Sequence, residues 1–241
     1  MNDWVLQETP AAGMTRLELN RPDSFNALSS EMLSALDAAL HTVAQDASCR
    51  VVVIAAGGRA FSAGHDLREM RNHPNHDFYT QLFAQCSRMM VRIQNLPQPV
   101  IAEVQGIATA AGCQLVSMCD LAVASQEARF AVSGINYGLF CSTPSVGLSR
   151  NMHRKQAMEM LLTGDFIDAQ TAQARGLINQ VVNADSLEDA VLQLCAKIVA
   201  KPEPAVRLGK ALFYQQLEMG LNAAYQLAGQ TMACNMMDNT A

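Results

Sequence analysis

The stretch Val104-Gln105-Gly106-Ile107-Ala108-Thr109-Ala110-Ala111-Gly112-Cys113-Gln114-Leu115 decides how this chain is read. It continues the apolar run 100–104 and ends in small residues able to open a helix, so it reads as strand, glycine turn and helix N-terminus. The first N–H groups of a helix have no acceptor within it and carry the positive end of its dipole, so they suit a negative oxygen. Small side chains at Ala110, Ala111 and Gly112 let a ligand approach that backbone. An ordinary helix packing its alanine face on a neighbour is the alternative on this stretch alone.

Arg59-Ala60-Phe61-Ser62-Ala63-Gly64-His65-Asp66-Leu67 repeats the pattern. It follows the strand-like run 50–56 and Gly57-Gly58, and Asp66 is placed to cap a helix. Two strand-to-helix corners thus offer backbone donors. Together with Leu19-Asn20-Arg21-Pro22-Asp23-Ser24-Phe25-Asn26-Ala27-Leu28, Cys119-Asp120 and Ala174-Arg175-Gly176-Leu177-Ile178-Asn179-Gln180-Val181-Val182, the chain resembles the crotonase, or enoyl-CoA hydratase/isomerase, superfamily over nearly its whole length. The run 134–144 looks like its enoyl-CoA hydratase domain-containing branch.

Composition agrees with a globular protein. The chain has 241 residues, half of them hydrophobic, and no apolar run suited to spanning a bilayer. The start Met1-Asn2-Asp3-Trp4 lacks a basic or Arg-rich pattern, so a cytoplasmic protein without membrane association is expected. A net charge of −5 argues against nucleic acid as the main partner. Seven cysteines without a CxxC pair suggest buried, reduced thiols. His73 and His76 lack a convincing third ligand, and no metal is expected.

In chain order, alternation predicts a hairpin over 4–8 and 14–20, then a helix capped by Ser29 and ending at His41. The run 50–56 is too apolar for a sheet with one wet face, so cover on both faces is expected. A polar loop is expected over 71–77, a long helix over 78–96 with Met89 and Met90 as core filler, and a strand over 177–182. Alternating strands and helices favour an α/β fold.

The resemblance implies a ββα spiral core over 1–190 carrying an acyl-CoA site, and a C-terminal helical region over 191–241 acting in oligomerisation and as pocket lid. It implies a homotrimer or dimer of trimers, an acyl-CoA thioester partner as in fatty acid metabolism, and no bound cofactor beyond coenzyme A as part of the substrate. The backbone N–H groups of His65 and Ala111 match the family's oxyanion hole. The ligand is expected against Ser24, Phe25, Ala27, Phe61, Ala63, Gly64, Asp66 and Leu67, with Ile107, Leu139, Cys141 and Ser142 toward the acyl group. Arg21, Arg59 and Lys210 are available for its phosphates.

One departure bears on the reaction. Hydratases of the superfamily carry two glutamates where this chain has Gln114 and Gly134. Glutamine does not take a proton at neutral pH and glycine has no side chain, whereas a placed acid or base typically supplies roughly 10²–10⁴-fold. Two-glutamate hydration is therefore in doubt. A lyase or isomerase with an unusual proton path, a non-catalytic acyl-CoA binder, and a thioesterase or decarboxylase remain open. Restoring glutamate at both positions is expected to raise hydration if the Gly134 backbone admits a side chain.

Overall fold

The computed structural model describes residues 3–238. Met1 and Asn2, part of the chain start read above, and the last residues of the 191–241 region lie outside the described residues. The chain opens with the expected hairpin, β1 (Val5–Glu8) antiparallel to β2 (Met14–Leu19). Ser29 then caps α1 (Ser30–Ala44), its side chain accepting from the Met32 N–H. The helix runs past His41 because Val43, three residues after Leu40, still reaches the core.

Three successive turns follow, each a long strand, a short strand and then helix. The first holds β3 (Val51–Ala56), β4 (Ala60–Ser62), α2 (Leu67–Asn72) and α3 (His76–Asn95). The second holds β5 (Val100–Val104), β6 (Ile107–Thr109) and α4 (Ala111–Met118). The third holds β7 (Leu121–Ser125), β8 (Arg129–Ala131), α5 (Ser142–Asn151) and α6 (Arg154–Thr163). The chain continues through β9 (Ile167–Asp168), α7 (Ala169–Ala174), β10 (Gln180–Val182), α8 (Leu187–Val199), α9 (Glu203–Leu217) and α10 (Leu221–Asp238).

Long strands collect in one sheet, ordered β1-β2-β3-β5-β7-β10, and short ones in a second, ordered β4-β6-β8-β9. All neighbours from β2 to β10 in the first sheet are parallel. This is the expected ββα spiral. As the run 50–56 requires, both faces of the large sheet are covered. Val52, Ile54 and Ala102 turn into the main core with α1 and α3, while Val51, Val53 and Ile101 meet Leu187, Val191 and Cys195 of α8.

Two expectations change. The loop over 71–77 shrinks to three residues, because Asp66 starts α2 and Asn75 caps α3 from Phe78 N–H. The strand over 177–182 shortens to Gln180–Val182, because Leu177 and Ile178 turn into the core and the Leu177 N–H returns to Ala172 O. Met89 and Met90 fill the core as expected. The boundary at residue 190 falls inside α8. No helix among the described residues is long and apolar enough to cross a membrane.

Candidate active site

The two strand-to-helix corners meet. Gly64 has φ +87°, and a Cβ there would lie 2.8 Å from Ala110 Cβ and 3.0 Å from the Ala111 nitrogen. Only a residue without a side chain holds that backbone conformation against that neighbour. Across the junction Ala110, the residue before α4, has φ 50° and ψ −121°, an uncommon conformation for a residue with a Cβ. Its own N–H is used by Ala131 O, and Gly64 N–H by Ser62 Oγ. The N–H groups of His65 and Ala111 make no hydrogen bond to another described residue.

Asn26 holds the first corner in place. It is wholly buried at φ 50°, its Nδ2 donates to Gly57 O and Ala60 O, and its Oδ1 accepts from Arg21 N–H. Ser62 Oγ donates to Asn26 O, while Leu28 N–H donates to Gly64 O. The motif around Asn26 thus fixes the loop that carries His65, a role the sequence reading did not assign to it.

Beside the junction lies a cavity of about 550 Å³. Of the residues expected at the ligand, His65, Ala111, Ala63, Leu67, Gly134, Leu139, Cys141 and Ser142 line it. Met70, Phe83, Phe140 and Phe166 complete an apolar wall that sequence reasoning missed. Phe166 follows Gly164 after α6, and no local pattern brings it here. Among the described residues, no Asp, Glu, Lys or Arg lines the cavity.

Other expected residues sit elsewhere. Phe61 is corrected from ligand contact to core, since its side chain is sealed there. Asp66 serves as the cap of α2, accepting from Arg68 and Glu69 N–H. Ser24, Phe25 and Ala27 form the adjoining turn outside the cavity, with Phe25 exposed and the Arg59 guanidinium 4.6 Å over its ring. Ile107 is exposed on β6. Lys210 is corrected as a phosphate ligand: its Nζ is buried and donates to Ile93 O, Gln98 O and Asp120 Oδ2. Gln114 does not line the cavity, and its Oε1 is buried without a partner.

Gly134 has no room for the glutamate considered above. A Cβ would stand 2.6 Å from Leu139 O and 2.8 Å from Cys141 Sγ, so the paired restoration fails on sterics although φ is not positive. His65 Nδ1 lies 3.2 Å from Leu28 O; a carbonyl only accepts, so Nδ1 carries the hydrogen and Nε2 keeps its lone pair. That Nε2 is buried without a partner, and burial holds the ring below the usual histidine pKa despite the Leu28 contact. Burial likewise pushes the Cys141 thiol up, opposed by the Gly134 backbone. No group of three His, Cys, Asp or Glu side chains fit for a metal occurs among the described residues.

The sequence profile described as Enoyl-CoA hydratase/isomerase matches residues 9–239. Enoyl-CoA hydratase domain-containing protein 3, mitochondrial, of Rattus norvegicus is 46% identical over 93% of this chain and 75% of its own length. Among solved structures, an enoyl-CoA hydratase of Mycobacterium smegmatis superposes with a TM-score of 0.96 at 59% identity, covering 98% of this chain and 91% of that one. The human enoyl Coenzyme A hydratase domain-containing protein 3 gives 0.94 at 43% identity, covering 97% and 92%.

Proposed function

The chain belongs to the enoyl-CoA hydratase/isomerase family and has its crotonase fold, and on that premise we propose that its cavity receives the acyl group of a CoA thioester. The observation that carries the reading is the junction of Gly64 with Ala111, where the N–H groups of His65 and Ala111 lack partners beside an apolar cavity. Two fixed donors on the thioester oxygen stabilise an enolate more than the ground state, and one such donor is typically worth about 3 kcal/mol. Coenzyme A enters as part of the substrate, along the turn 24–27 beside Arg59. Association into a homotrimer or a dimer of trimers completes the proposal.

Among the described residues no carboxylate lines the cavity, which favours a second reading, an acyl-CoA binder without hydratase turnover. It also bears on the proton path, since an enolate formed here meets no Asp or Glu among the described lining residues. Calorimetric titration with butyryl-CoA tests the site: saturable binding is expected, and no heat at millimolar ligand would remove the acyl-CoA reading. Crotonyl-CoA hydration, followed by loss of enoyl absorbance, separates the two readings. Turnover comparable to an ordinary hydratase would show that a group other than a glutamate at 114 or 134 moves the proton.

A further inference from the structure

The titratable side chains lining the cavity are those of His65, Tyr137 and Cys141, and Tyr137 is largely exposed. Cys141 is the nucleophile among them. It precedes α5 and is folded back by the bond from Leu139 N–H to Gly134 O at 3.0 Å, which sets its Sγ against Gly134. Next along the wall, Ser133 Oγ lies 2.9 Å from Thr109 Oγ1, two residues before Ala111 and its unpartnered N–H. From His65, the same cavity has a buried ring nitrogen that keeps a lone pair and has no partner. A thiol and a proton acceptor therefore border one apolar space beside two backbone donors.

We propose that Cys141 is a covalent capture site for α,β-unsaturated acyl thioesters, forming a thioether at C3 of the acyl chain. This rests on the acyl-CoA reading of the cavity. Donors on the thioester oxygen withdraw electrons through the conjugated system and make C3 electrophilic. As the S–C3 bond forms, the C2=C3 π pair moves to the carbonyl and gives an enolate held by the same donors. The thiol proton passes to C2 as that enolate collapses, with His65 Nε2 as its acceptor on the way. The net step adds S–H across C=C, changes no overall oxidation level and needs no co-reactant. A saturated acyl thioester has no such bond to lose.

The other cysteines do not compete. Cys49, Cys86, Cys113, Cys119 and Cys195 are buried and do not line the cavity, and Cys234 is exposed on α10. Because burial keeps the Cys141 thiol protonated near neutrality, capture should quicken as pH rises.

The whole protein is incubated with crotonyl-CoA or butyryl-CoA, and intact mass with peptide mapping is read over time. One adduct per chain is expected on Cys141 with crotonyl-CoA, at least about ten-fold faster than on Cys234 because the bound ester has a high effective concentration. None is expected with butyryl-CoA, and excess butyryl-CoA should slow the reaction. Cys141→Ser should abolish the adduct while Cys234→Ser leaves it. Unchanged mass with crotonyl-CoA when butyryl-CoA binds, or an adduct that forms on Cys234 as fast as or faster than on Cys141, would overturn the capture site and leave the acyl-CoA reading standing. Failure of butyryl-CoA to bind would overturn that reading, and the capture site with it.

Discussion

At Gly64, one missing Cβ keeps two chain corners in contact. A methyl group would meet Ala110 Cβ at 2.8 Å and the Ala111 nitrogen at 3.0 Å, at a φ of +87° that side chains rarely adopt. Gly64→Ala should therefore push the corners apart and weaken butyryl-CoA binding at least about ten-fold, roughly the loss of 1.4 kcal/mol of site geometry; unchanged affinity by calorimetry would separate the N–H groups from binding. His65 gives a pH signature. Burial lowers its folded pKa below the ordinary histidine value of 6.5, so between that lowered value and 6.5 the unfolded chain binds a proton that the folded chain does not. Its contribution is present above pH 6.5 and is lost as pH falls toward the folded pKa, by at most about 1.4 kcal/mol per pH unit. Urea unfolding at pH 7.5 and 5.5 should show a smaller acid-induced loss in His65→Gln than in the parent. Equal losses would contradict the assignment.

Among the elements, α9 is held by a buried polar anchor. It has no fully buried residue, yet Lys210 enters the core with Asp120, and Tyr214 OH donates to the other Asp120 oxygen at 2.7 Å. Val100 N–H also donates to Asp120 Oδ2 at 2.6 Å, so the cluster ties α9 to the start of β5. Removing one partner of a buried pair leaves an uncompensated charge, which costs about 3–5 kcal/mol. Lys210→Met should lower the unfolding free energy by that order, and Lys210→Arg should not restore it, because a planar guanidinium fits poorly among three acceptors gathered on one ammonium. A loss below about 1 kcal/mol would mark the pair as an ordinary surface bridge. The helices themselves were legible where periodicity and caps coincide, as where Ser29 begins α1. The shortened loop at 71–77 was not, since two caps in one short stretch, Asp66 and Asn75, outweigh the proline between them.

For the whole molecule, the C-terminal helices present more apolar surface than they cover. Phe213 and Leu217 on α9 are 56% and 59% exposed, and Leu221 and Tyr225 on α10 are also largely exposed. Large apolar patches of this kind mark interaction sites. Sedimentation at micromolar concentration should give a trimer or a dimer of trimers, and Phe213→Glu with Leu217→Glu should lower the association state; a stable parental monomer would contradict the proposal. Periodicity, caps and glycine turns, which act over a few residues, determined the strand-to-helix corners and the two-faced burial of β3, while the family resemblance supplied the ββα order and the expectation that Gln114 and Gly134 stand at the two glutamate positions. Tertiary structure alone decided that Gly64 touches Ala111, that Phe61 is sealed in the core, that Lys210 is bound to Asp120, and that Phe166 reaches the cavity. Those contacts join segments many residues apart, and their distances depend on how the layers stack, which no local pattern encodes.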